Sequence, residues 1–289
     1  MSEPLSINWF PGHMAKTRRL ITESLPLVDI VIELVDARIP QSSRNPILDE
    51  LIAGKPRVLL LNKSDAADAD ANNRWLEHFK SKGITCMTAD CRSGKGLNSL
   101  MPLVKSQLTE VLERRAARGM SGQPLRMMIV GIPNVGKSSL INRLAGSQRT
   151  KVEDRPGVTR GKQWVTVDRQ VELLDMPGVL WPKFEDKIVG ERLAFTGAIK
   201  DDILDIEALA MRLLLFLNEQ YHLALKERYK MDMPLDTQGL DLLNELGKKR
   251  GMLVRGGEVD TERAAIAILD EFRSGKLGRI TLELPKKQA

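Results

Sequence analysis

The chain has 289 residues, of which 42% are hydrophobic; it can bury a sizeable core and holds one large or two ordinary domains, which excludes a disordered tail protein. Two cysteines, Cys86 and Cys91, are too few for a disulfide framework or a four-ligand zinc site, so a reducing, cytoplasmic setting is the simplest reading. The net charge of +6 is uneven: residues 201–289 carry 14 Lys+Arg against 16 Asp+Glu, leaving 30 against 22 in residues 1–200, and the basic balance fits a polyanionic partner or a mildly basic soluble protein.

The N-terminal stretch MSEPLSINWF lacks the basic region and apolar run of a signal peptide, and the run LLLFL at 213–217 is far too short to span a bilayer, so no membrane role is expected. Next comes a short basic segment, WFPGHMAKTRRL, in which Pro11-Gly12 marks a turn and His13 onward can start a helix. VDIVIELVDA (28–37), PRVLLLNK (56–63) and ITCMTA (84–89) read as buried strands separated by helix-compatible stretches, an alternation that implies βα units on a mostly parallel sheet. After the polar stretch ERRAARGMSGQP (113–124), LRMMIVG restarts the pattern, and KQWVTV with QVELLDM reads as a hairpin around Asp168-Arg169. From about residue 185 helical spacing takes over: Ile206, Leu209, Leu213 and Leu217 share one face, and a helix runs from an N-cap at Asp260 to a stop at Gly275. The division expected is therefore 1–184 for an α/β domain and 185–289 for a small all-helical one.

The strongest chemical signal is GIPNVGKSS, Gly131 to Ser139, a complete G-x-x-x-x-G-K-[ST] between a predicted strand and a predicted helix. Its glycines let backbone N–H groups close around phosphates at a helix N-terminus, with Asn134, Val135, Gly136 and Ser139 in the cradle. Lys137 is expected to reach the β- and γ-phosphates and Ser138 to ligate Mg²⁺. Asn62-Lys63-Ser64-Asp65, at the end of an apolar run, suits guanine: the Asp65 carboxylate can accept from the adjacent N1–H and N2–H₂ donors, a pair that adenine lacks. Asn62 would either bond the acceptor side of the base or brace the phosphate loop, and the Lys63 stem would cover the ring face. A P-loop kinase or ATPase offers no reason for this tetrad. LLDMPG (173–178) leads to Asp175, expected to hold Mg²⁺ through water, and to Gly178, whose N–H can approach the γ-phosphate. Thr159, in EDRPGVTRG, could close over Mg²⁺ only when the γ-phosphate is present, or the segment is a surface turn.

NKSD, TAD after ITCM, GIPNVGKSS, PGVT and DMPG resemble the elements of a translation-factor-type P-loop GTPase domain in circularly permuted order (G4-G5-G1-G2-G3). With WFPGHMAKT they closely resemble the YlqF/RbgA family of ribosome-assembly GTPases over most of the chain. The resemblance implies GTP and GDP as ligands, Thr88 and Ala89 beside the base, and a late role in large ribosomal subunit maturation through contact with its rRNA. A monomer acting in the cytoplasm is expected.

The residue after the D-x-x-G glycine, a water-orienting Gln in many GTPases, is here Val179, so intrinsic turnover is expected to be slow and stimulated by the ribosomal subunit. Asn134 matches the position where related GTPases hold K⁺, or it braces the loop. By resemblance, His13 in PGHM orients water or senses the ribosome; alternatively it faces solvent at a helix start. GKKRGMLVRGG (247–257) gathers Lys248, Lys249, Arg250 and Arg255, either to track RNA phosphates or as a solvated helix end. The other functional class is a nucleotide-gated RNA-binding module in which hydrolysis is incidental.

Overall fold

A computed structural model of the chain describes residues 5, 14–146, 162–168, 170–181, 184 and 186–286. These divide into two compact units: one holds the described residues of 8–184 with 281–286, the other holds Leu5 and 186–280.

In the first unit the apolar runs become strands: β1 (Ile30–Asp36), β2 (Arg57–Asn62), β3 (Cys86–Thr88), β4 (Leu125–Gly131), β5 (Gln163–Asp168) and β6 (Val171–Asp175). They form a sheet in the order β3-β2-β1-β4-β6-β5. Every neighbouring pair is parallel except the β5–β6 hairpin. All seven residues of β1 are buried, as a parallel strand covered on both faces requires. The helices of this unit are α1 (Met14–Ser24), α2 (Pro46–Leu51), α3 (Ala69–Ser81), α4 (Leu100–Gln107), α5 (Thr109–Ala117) and α6 (Lys137–Leu144). Ile21 of α1 and Leu48 of α2 pack with Val31, Met128, Val130 and Leu174 of the sheet. Trp75 and Phe79 of α3 pack with Val35, Leu59 and Leu61. Of the polar stretch 113–124, the first part is the end of α5 and only the rest is a turn leading to β4.

The register places Asp36 beside Asn62, Leu34 beside Gly131 and Ile129 beside Asp175. The carboxyl ends of β1, β2, β4 and β6 therefore lie on one edge of the sheet, the edge where open α/β sheets bind ligands. Followed from β4 through β6 and then from β1 through β3, the strands run from the glycine-rich loop to the N-K-x-D loop. The chain instead starts at β1, which is the permuted order. Strand pairing is set by neighbours in space, so the cut elsewhere leaves the sheet unchanged.

The second unit contains α7 (Lys187–Phe195), α8 (Ile206–Gln220), α9 (His222–Tyr229), α10 (Gly239–Lys249) and α11 (Thr261–Arg273). Asp186, Asp205 and Asp260 cap α7, α8 and α11 by accepting from N–H groups of the first turn. On α8, Leu209, Leu213 and Leu217 are buried while Ile206 is only half-buried. Tyr229 and Glu271 meet at 2.8 Å, and Arg228 and Arg250 also pair with Glu271 at 2.7 and 3.1 Å.

The expected helical domain of 185–289 needs a correction at its end: residues 281–286 belong to the sheet unit. Leu282 is buried and donates its N–H to the carbonyl of Arg38 at 2.8 Å, so this strap satisfies its polar backbone against the β1–α2 loop. Leu5, conversely, donates its N–H to the Glu191 carboxylate of α7 at 2.8 Å. Among the described residues no helix is long and apolar enough to cross a membrane.

Candidate nucleotide site

The phosphate loop runs from Gly131, at the end of β4, to Lys137, the first residue of α6. Asn134 and Gly136 have φ of 55° and 102°, left-handed values of the kind with which a tight loop presents successive N–H groups to an anion. A Cβ at Gly136 would collide with the Asn62 side-chain amide, so glycine is required here on two counts. Lys137 is buried, and its Nζ donates to the carbonyls of Ile132 at 2.9 Å and Gly131 at 3.2 Å. Burial pulls its ammonium down to about 8, while the Asp175 charge opposes that shift.

Asn62 ends β2 and is buried. Its side-chain amide donates to the Val135 carbonyl at 2.7 Å, and its Oδ1 accepts from the Cys91 N–H at 2.9 Å. Of the two roles open to Asn62 from sequence, this geometry is that of the brace: one side chain ties the N-K-x-D loop to the phosphate loop and to the loop after β3. Ala89 lies beside it, its N–H on the Leu61 carbonyl at 2.9 Å and its carbonyl on the Ser64 N–H at 3.2 Å. Thr88 ends β3 in register with Leu61. Asp65 is exposed. Lys63, at φ 60°, sets its Nζ 3.1 Å from Asp36 Oδ2.

Asp175 is buried at the end of β6. Ser138 lies in the first turn of α6, which follows β4, the neighbour of β6. A serine hydroxyl and a carboxylate are hard oxygen donors that suit Mg²⁺. Among the described residues no group of three His, Cys, Asp or Glu could hold a metal ion. A Cβ on Gly178 would lie 2.8 Å from both N and Cα of Pro133, and the next residue, Val179, donates its N–H to the Gly131 carbonyl at 3.2 Å. The D-x-x-G turn thus rests directly on the phosphate loop. Val179 itself is 5% exposed, packed among Ile21, Leu48 and Met176, and its carbonyl accepts from Asn45 Nδ2 at 3.2 Å. His13 and Thr159 lie outside the described residues.

Sequence reasoning missed Asp36 and Arg38. Both are buried, and Arg38 grips the Asp36 carboxylate through Nε at 2.9 Å and Nη2 at 2.8 Å. Burial alone would raise the Asp36 carboxyl, but the charges of Arg38 and Lys63 and the Arg38 hydrogen bonds outweigh it and hold the group well below the usual carboxylate range. A charged D-x-R at the end of the buried strand β1 was the available signal. In the helical unit, two of the four clustered cations are already paired: Arg250 with Glu271 and Lys249 with Glu245, the latter at 3.5 Å.

Residues 126–254 match the family described as 50S ribosome-binding GTPase. The chain is 50% identical over 285 residues to "Ribosome biogenesis GTPase A" of Priestia megaterium, covering 98% of each chain. It belongs to the ribosome biogenesis GTPase A family. A more distant relative of the same name, from Thermotoga maritima, is 29% identical over 280 residues, covering 97% of this chain and 95% of its own. A solved structure described as GNP-bound YlqF from T. maritima superposes with a TM-score of 0.63 at 26% identity, covering 94% of this chain and 99% of that one. Membership in the ribosome biogenesis GTPase A family makes this chain a GTPase, with GTP, GDP and Mg²⁺ as its ligands.

Proposed function

We propose that this GTPase hydrolyses GTP to drive a late step of large (50S) ribosomal subunit assembly, as a cytoplasmic monomer that contacts rRNA. The observation that carries the reading is the Asn62 brace, which couples a guanine-type N-K-x-D loop to a phosphate loop. In this reading Asp65 accepts from the guanine edge, Lys63 covers the ring and Thr88 and Ala89 flank it. Asn134, Val135, Gly136, Lys137 and Ser139 cradle the phosphates, and Ser138, Thr159 and Asp175 hold Mg²⁺. Gly178 approaches the γ-phosphate through its N–H.

The buried Val179 side chain supports slow intrinsic turnover, so help comes from the large subunit, from K⁺ held at Asn134, and from His13. A charge or positioning group of this kind is worth about 10³–10⁵ in GTPase rate. The test is a GTPase assay with and without large subunits, in K⁺ and in Na⁺. Strong stimulation that needs K⁺ and is lost in His13→Ala is the expected result; equal turnover in all four conditions overturns the activation scheme. Asp65→Asn should exchange guanine for xanthine preference, because it reverses the donor-acceptor pattern.

The same burial of Val179 favours keeping a second reading, a nucleotide-gated RNA-binding module whose hydrolysis is incidental. Release from large subunits that proceeds as well with a non-hydrolysable analogue as with GTP would select it.

A further inference from the structure

The residues behind Lys63 form a continuous relay that ends at the C-terminal strap. Lys63 is a non-glycine residue at φ 60°, a conformation that persists only where its surroundings hold it. Its Nζ is held by Asp36 at 3.1 Å, and Asp36 is gripped by Arg38. The Arg38 carbonyl accepts from the Leu282 N–H at 2.8 Å. The next strap residue, Glu283, takes the N–H groups of Gln41 and Ser42 at 2.5 and 2.8 Å and the Ser42 hydroxyl at 2.5 Å. Its carbonyl accepts from Trp75 Nε1 at 3.0 Å, and the Thr281 hydroxyl accepts from the N–H of Asp68, three residues after Asp65, at 3.0 Å. Six hydrogen bonds, one each with Arg38, Gln41, Trp75 and Asp68 and two with Ser42, thereby tie the strap to the sheet unit.

We propose that the strap, through Glu283, Arg38 and Asp36, positions Lys63 and so sets the affinity of the site for a purine base. The proposal rests on the reading of Asn62–Asp65 as the base loop. Asp36 and Glu283 are positioning residues, acting through Lys63 on the ring face. Asp65 reads the ring edge. Loss of the relay therefore weakens every purine nucleotide and leaves phosphate binding alone.

The test uses full-length Asp36→Asn, Glu283→Ala and Glu283→Gln, each also combined with Lys63→Met, and dissociation constants for GTP, inosine triphosphate and inorganic tripolyphosphate. Asp36→Asn and Glu283→Ala should weaken both nucleotides about tenfold and tripolyphosphate less than about twofold, with Glu283→Gln, which keeps an acceptor for the Ser42 N–H, recovering most of the loss. With Lys63→Met in place the same changes should have no further effect, the non-additivity expected of residues acting through one partner. Unchanged GTP affinity in Glu283→Ala, equal losses for tripolyphosphate, or additive losses on Lys63→Met would each overturn the proposal. Should Asp36→Asn fail to fold, the Glu283 and Lys63 variants carry the test. Asp65→Asn separates the two readings: a guanine preference it does not move removes the base loop itself, whereas a moved preference with inert Glu283 variants removes only the relay.

Discussion

Asn62 and Val135, 73 residues apart in the chain, are joined by a 2.7 Å hydrogen bond from a side-chain amide to a main-chain carbonyl. The bond makes the shape of the phosphate loop depend on the end of β2. Asn62→Ala removes it and also leaves the buried Cys91 N–H without its acceptor, a loss of about 1–3 kcal/mol in stability. GTP and GDP should weaken together, and by more than the melting temperature alone predicts. Calorimetric titration beside thermal unfolding checks this; a variant that melts early yet binds both nucleotides normally would show that the bond serves stability only.

Gly178 sits against the backbone of Pro133, so the Cβ of Gly178→Ala at 2.8 Å cannot be absorbed by a side-chain movement. The D-x-x-G turn must lift from the phosphate loop. Hydrolysis should fall by about tenfold or more, because the N–H proposed to approach the γ-phosphate is misplaced. GDP affinity should change much less. Single-turnover rates and GDP titration separate the two effects, and an equal loss in both would point to a collapsed loop instead.

Lys137 predicts a pH dependence with a definite sign. Its folded value of about 8 lies below that of an unfolded lysine, so in the window between them the unfolded chain binds more protons. The stability of the nucleotide-free protein should therefore rise as pH climbs through that window, and the penalty is fully present below about 8. Polyphosphate favours the ammonium form, so nucleotide binding takes up a proton there and affinity should fall over the same range. Lys137→Met should flatten both profiles; profiles that keep their slope in this variant assign the proton elsewhere.

Val179 occupies the place of a water-orienting glutamine, but its side chain is in the core with Ile21 and Leu48. Val179→Gln should not raise intrinsic turnover. It buries an amide among aliphatic groups and should cost about 1–3 kcal/mol. Denaturant unfolding and a subunit-free GTPase assay decide the matter, and faster intrinsic hydrolysis would mean that this side chain can swing out to the nucleotide.

The sequence by itself determined the strands, the phosphate loop and the order of the motifs along the chain, because each is written in a short span: an apolar run such as VLLL, a glycine spacing, a charged residue at a strand end. Tertiary structure alone decided the rest. Asn62 had two chemically reasonable partners, and only the adjacency of β2 to β1 and of β1 to β4 brought Val135 within reach. The DMPGV segment looked the same whether Val179 faced nucleotide or core; the packing of α1 and α2 beneath it made the difference. The last residues carried no local mark that TLEL leaves the helical unit to close over the β1–α2 loop. Each of these outcomes turns on which buried group meets which partner across a long sequence separation. Local spacing carries no such information, since it is set only when the whole chain has packed.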